Sequence, residues 1–211
     1  MAGVEAILAR VRRSLRRACR DAWKAGLLPA ANGNASVRLP PPQEALLCMT
    51  NSGSAKGRLT AGDFCLVDAG TGETVSGGPA SSEMAVHLAL YGALPPCRAV
   101  LHSHPACLLA LSLVCDEENF LAMPLFETQF WRPRLGFVPE LAPGSGALAH
   151  AVGARAALLA AENPRCLDSG ALWMAGHGLV CWGKSIDDAL TLSEELAHLA
   201  DIQLRTLTVR R

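Results

Sequence analysis

The sequence predicts an α/β fold in which helices pack against a central, mainly antiparallel sheet. Three observations point to it. Strand-like runs come in groups between helical stretches rather than alternating with them one for one, which argues against a parallel doubly wound sheet. Four longer segments read as helices, the last two carrying apolar residues at three- and four-residue spacing. With 211 residues, half of them apolar, the chain can bury a substantial core as a single domain spanning 1–211.

The elements are expected in the following order. A first helix at 3–26 carries an apolar stripe of Val4, Ile7, Leu8, Val11, Leu15 and Trp23. Its arginines (Arg10, Arg12, Arg13, Arg16, Arg17 and Arg20) form a solvated face. Strand-like runs follow at 34–39, 45–50 and 63–68, the first two separated by the loop Leu39-Pro40-Pro41-Pro42. A helix at 82–94 starts after Ser81, and further strand-like runs lie at 98–103 and 120–126. A helix at 145–162, strands at 171–175 and 178–182, and an Ala- and Leu-rich helix at 185–207 complete the chain.

Composition excludes several classes of function. The 19 Lys and Arg balance the 19 Asp and Glu, so no global field draws the chain to nucleic acid or to an anionic membrane. No Gly-x-Gly-x-x-Gly follows a strand and no Walker sequence is present, so nucleotide binding has no support. No apolar segment is long enough to span a bilayer, and positions 1–20 lack the continuous apolar core of a secretory signal. The eight cysteines are scattered without a Cys-x-x-Cys pair and read as reduced, buried small hydrophobes. A cytoplasmic location is expected.

Chemistry concentrates in a few short stretches. In Val100-Leu101-His102-Ser103-His104-Pro105 an apolar run leads into His-x-His, and residues i and i+2 of a strand share a face. His177, between Gly176 and Gly178, can complete a three-histidine metal site with an open position, as a catalytic zinc uses. On spacing alone that site competes with a chance His-x-His. His150 and His198 read as structural. In Gly77-Gly78-Pro79-Ala80-Ser81-Ser82-Glu83 the hydroxyls are either plain helix caps or, with the free N–H groups of a helix start, an anion site. Glu83 falls in the first helical turn, and His87, four residues on, is a supporting or core residue. Asn32-Gly33-Asn34 and Thr50-Asn51-Ser52-Gly53 are ordinary turns taken singly. Together with Ser81-Ser82 they make a set of neutral donors around a phosphate.

Taken in order, Gly33-Asn34-Ala35-Ser36-Val37-Arg38, Thr50-Asn51-Ser52-Gly53, Leu59-Thr60-Ala61-Gly62-Asp63, Ser81-Ser82-Glu83, His102-Ser103-His104-Pro105 and His177-Gly178-Leu179-Val180-Cys181-Trp182-Gly183 resemble the class II aldolase/adducin family. The likeness is to its fuculose-phosphate aldolase-like members and runs across roughly residues 5–205. It implies a three-layer domain, assembled as a homotetramer with sites at subunit interfaces. It implies Zn2+, or another divalent metal, on His102, His104 and His177. Glu83 would ligate the metal in the empty site and turn acid/base when substrate arrives, and Asn34, Ser52, Gly53, Ser81 and Ser82 would hold a sugar phosphate.

The activity implied is cleavage of a phosphorylated ketose into dihydroxyacetone phosphate and an aldehyde, through a zinc-stabilised enediolate. Three departures bear on that reaction. Ala31 and Asn51 replace a customary threonine and proline, and no tyrosine stands where family aldolases protonate the leaving aldehyde, the single tyrosine being Tyr91 within a helix. Glu127, in Met123-Pro124-Leu125-Phe126-Glu127-Thr128, is the candidate second acid/base, with a solvated loop carboxylate as the alternative. A dehydratase, 4-epimerase or decarboxylase of a related sugar phosphate is therefore the second reading. A non-catalytic, adducin-like interaction module is the third.

Overall fold

The computed structural model describes residues 2–209. The elements are α1 (Ala2–Lys24), β1 (Asn34–Arg38), β2 (Leu46–Thr50), β3 (Phe64–Asp68), β4 (Thr74–Ser76), α2 (Met84–Ala93), β5 (Ala99–Ser103), α3 (Ala106–Ser112), α4 (Phe126–Trp131), β6 (Leu135–Val138), α5 (Gly146–Glu162), β7 (Gly170–Met174), β8 (Gly178–Gly183) and α6 (Ile186–Val209). Among the described residues the strands form one eight-stranded sheet in the order β4-β3-β2-β1-β5-β8-β7-β6. Every neighbouring pair is antiparallel except β6 with β7. The mainly antiparallel sheet is as expected.

Alternation along the strands produces the three layers. Leu47 and Met49 of β2, Cys65 and Val67 of β3, Val100 of β5 and Val180 and Trp182 of β8 bury on one face, against Val86 and Leu90 of α2 and Leu148, Val152 and Leu159 of α5. Their neighbours Cys48, Phe64, Leu66, Leu101, Leu179 and Cys181 turn to the other face, against α1, α3 and α6. Successive strand side chains point to opposite faces, so a sheet covered on both sides needs apolar residues at every position. That is why these strands read as continuous apolar runs. No helix among the described residues is long and apolar enough to cross a membrane.

Two local expectations are corrected. Residues 120–126 are not a strand; Phe120 and Leu121 are buried in a turn. Leu121 has φ 58°, and its N–H donates to Gln203 Oε1 at 2.7 Å rather than to a strand neighbour. Pro124 has no N–H for a ladder, and a short apolar run does not by itself distinguish a strand from a buried turn. The strand of that region is β6, preceded by the unforeseen α4. Trp23 does not continue the stripe of α1 and is 47% exposed. Eight residues beyond Leu15 rotate the helix about 80° past two full turns. Trp23 lies instead against Gly57, where a Cβ would come within 2.5 Å of its ring. Arg10, Arg13, Arg16, Arg17 and Arg20 are exposed as expected, with Arg17 paired to Asp187 and Arg16 donating to the Leu59 carbonyl at 2.8 Å, whereas Arg12 is half-buried.

Candidate active site

Four elements meet at one end of β5. His102 shares the parity of Val100 and so points to the α2 side of the sheet, with Asn34 of β1 directly opposite in register. His104 follows two residues later, beyond the strand end. His177 sits in the three-residue connection from β7 to β8, where Gly176 has φ 65° and supplies the left-handed turn. The nitrogens of the three rings lie within 4.8 Å of one another. Gly178 makes this approach possible. A Cβ there would meet Ser103 O at 2.7 Å, His104 Nδ1 at 3.1 Å and His102 Cε1 at 3.2 Å.

Glu83 completes the cluster from the start of α2. It occupies the N-cap position of that helix, yet its side chain makes no capping hydrogen bond, so the carboxylate is left for the histidines. Its Oε2 lies 2.8 Å from His102 Nε2 and its Oε1 2.9 Å from His177 Nε2. Burial would raise the Glu83 carboxyl, but the adjoining imidazoles of His102 and His177 outweigh it and hold the group well below the usual carboxylate range. Burial, reinforced by His102 and His177, pushes His104 down to about 4. That ring is therefore neutral at physiological pH, as a metal ligand must be.

These residues fit a cation. His102 Nδ1–H donates to the Leu179 carbonyl at 3.0 Å, which leaves Nε2 as the lone-pair nitrogen facing the cluster. When that ring is neutral its lone pair faces a carboxylate oxygen, an arrangement that needs a positive charge between them, either a proton, which would hold Glu83 low, or a bound cation. His102 Nε2 and Glu83 Oε1 are both buried without a partner in hydrogen-bond geometry, although each has a nitrogen or oxygen within 3 Å. Three imidazoles and a carboxylate suit zinc and other divalent ions.

The cluster opens into a cleft of about 230 Å³ lined by Asn34, Ser52, Gly53, Ser81, Ser82, Glu83, His104 and His177, together with Lys56 and Asn51. The structure thus brings together every phosphate-site and metal-site residue picked from the sequence. His102 lies directly behind the lining, 1% exposed. Glu127 is elsewhere in the chain, on the exposed first turn of α4 and outside this lining. Lys56 was not anticipated: in sequence it is one more charge in Lys56-Gly57-Arg58, and nothing local marks it as buried.

Behind Asn34 runs a buried chain of hydrogen bonds. His87 Nε2–H donates to Asn34 Oδ1, and Ser36 Oγ lies 2.7 Å from His87 Nδ1 and 2.9 Å from the Tyr91 hydroxyl. Since Oδ1 can only accept, Nδ1 of the neutral ring accepts from Ser36, and Ser36 in turn accepts from Tyr91. Asn34 is left with its NH₂ group free to donate into the cleft. Tyr91 is consumed at the far end of this chain, 4% exposed, and does not line the cleft.

Burial, with a smaller push from His102, lowers His87 to about 3, so the unfolded chain takes up a proton that the folded one refuses as pH falls from about 6.5 to about 3. The corresponding stability is complete above pH 6.5 and is lost on acidification, by about 1.4 kcal/mol per pH unit in that window. Chemical denaturation of wild type and His87→Gln should therefore give curves that converge as pH drops from 7 to 4. Parallel curves would show that His87 is protonated in the fold.

The chain is similar to known proteins along most of its length. The chain is 35% identical over 196 residues to methylthioribulose-1-phosphate dehydratase of Yersinia enterocolitica, covering 91% of this chain and 90% of the relative. It is 35% identical over 201 residues to the enzyme of that name from Methylococcus capsulatus, covering 88% and 89%. Among solved structures, L-fuculose-1-phosphate aldolase from Thermus thermophilus superposes with TM-score 0.73 at 26% identity, over 94% of this chain and 95% of that one. The sequence model of the class II aldolase and adducin N-terminal domain matches residues 13–204, a span that takes in the sheet, both helical layers and the whole cleft, and the chain belongs to that family.

Proposed function

We propose that this protein is a metal-dependent sugar-phosphate dehydratase that removes water from a 1-phospho-2-ketose of the methylthioribulose type. The observation that carries this reading over carbon–carbon cleavage is the placement of Tyr91. Its hydroxyl is held by Ser36 in the core, which leaves the cleft without the tyrosine that family aldolases use. The likeness to dehydratases over nine tenths of the chain supports the same choice.

In the proposed reaction a divalent ion held by His102, His104 and His177, zinc by preference, supplies Lewis acidity to the ketose oxygens. Glu83 takes the proton from the carbon beside the carbonyl. It is the only carboxylate lining the cleft among the described residues, so proton abstraction falls to it. The hydroxyl on the next carbon then leaves with a proton, and the enol so formed tautomerises to a diketone. One C–H and one C–O bond break, and water is the only co-product.

Asn34, Ser52, Gly53, Ser81 and Ser82 hold the phosphate in this reading and fix the reacting carbons at a distance from it. Glu127 is the second proton donor and reaches a cleft of a neighbouring subunit. Exposed Leu113, Val114, Phe126 and Phe130 around α3 and α4 support assembly there, as a homotetramer. Eight free cysteines suit a reducing, cytoplasmic setting.

The test is incubation of the metal-loaded protein with 5-methylthioribulose 1-phosphate, followed by mass spectrometry. Loss of one water without fragmentation is expected. The aldolase reading, favoured by the likeness to L-fuculose-1-phosphate aldolase, predicts instead that dihydroxyacetone phosphate and an aldehyde condense to a ketose phosphate. That result without water loss would overturn the dehydratase.

A further inference from the structure

Lys56 is a buried cation with no carboxylate in ion-pair contact among the described residues; the charge of Asp63 acts on it only from beyond contact distance. It is 1% exposed, and its ammonium donates to the Ser54 carbonyl at 2.7 Å, the Ala31 carbonyl at 3.2 Å and the Ser54 hydroxyl at 3.3 Å. Glu83, the one carboxylate lining the cleft among the described residues, is occupied by His102 and His177. Cys19 nearby cannot serve, because burial pushes its thiol up to about 12 and keeps it protonated. Three neutral oxygens solvate an ammonium, but they leave its charge in place, and an uncompensated buried charge is costly.

The position of this charge is what gives it meaning. Lys56 ties the segment before Asn34, through Ala31, to the segment after Ser52 and Gly53, through Ser54, and it lines the same cleft as all three. The cleft therefore carries both a histidine cluster with its carboxylate and, within the same lining, an ammonium among neutral donors. From this we infer that Lys56 is a positioning residue whose ion-pair partner is the substrate's phosphate: it clamps the two phosphate loops and supplies the charge that makes the cleft prefer a dianion to a neutral sugar. The inference rests on the sugar-phosphate reading above.

Lys56→Gln separates charge from clamp, since its amide can still donate to Ala31 or Ser54. Calorimetric titration of the metal-loaded proteins with inorganic phosphate should show at least a tenfold weaker affinity in Lys56→Gln than in wild type. Lys56→Arg should recover most of it. Metal content, and inhibition by the unphosphorylated 5-methylthioribulose, should stay within twofold of wild type, a pattern that a collapsed loop would not give. Should Lys56→Gln fail to fold by circular dichroism, Lys56→Met carries the same expectation. Phosphate affinity within twofold of wild type in a folded, uncharged variant overturns the role of Lys56 alone. A wild type that binds no phosphate overturns the sugar-phosphate reading and this inference with it.

Discussion

Glu83→Gln is expected to lower kcat by about 10²–10⁴-fold, the usual contribution of a positioned proton-transfer group, with metal content close to wild type. The substitution preserves shape and removes the only carboxylate that lines the cleft among the described residues. The helix beneath should not suffer, because the Glu83 side chain caps nothing. The three imidazoles remain to hold the ion. Parallel measurement of kcat, of metal by elemental analysis and of Tm would check this, since the expected pattern is a loss confined to turnover. Turnover within threefold of wild type would assign the proton transfer to another group.

The second large effect is expected from His177→Ala. Outer-sphere partners of metal ligands typically contribute 10–100-fold in metal affinity, so loss of a ligand should exceed about 100-fold and take activity to background with it. His177 is the ligand of choice because it lies half-buried on a turn. His102, 1% exposed, also satisfies the Leu179 carbonyl, and its removal would confound folding with metal loss. Equilibrium dialysis against zinc gives the affinity, and dialysis of wild type against a chelator gives the matching apo state. Activity of that apo protein should return on adding a divalent ion. Full metal occupancy in folded His177→Ala would mean that His102, His104 and Glu83 suffice.

The order of elements was legible in the sequence wherever periodicity was long. Helices with three- and four-residue spacing and strands of five or six residues lie within two residues of their expected bounds. Short elements were not legible. The six-residue helix α4 and the four-residue strand β6 have too few residues to display a period, and the apolar run 120–126 drew the strand assignment to itself. The histidine cluster was legible because strand alternation turns a His-x-His spacing into a shared face. The order of the turn motifs then supplied His177 and Glu83.

Sequence alone thus determined the mainly antiparallel sheet, the residues of the histidine cluster and the neutral loops beside them, because each depends on local spacing. Only the tertiary structure decided what those groups confront. It set the Glu83 carboxylate against two imidazoles and put Tyr91 out of reach of the cleft. It also left Glu127 on the surface and buried Lys56 behind the loops that carry Asn34 and Ser52, with no ion pair among the described residues. Burial and charge pairing arise between segments distant in the chain, and no local pattern of residues records them.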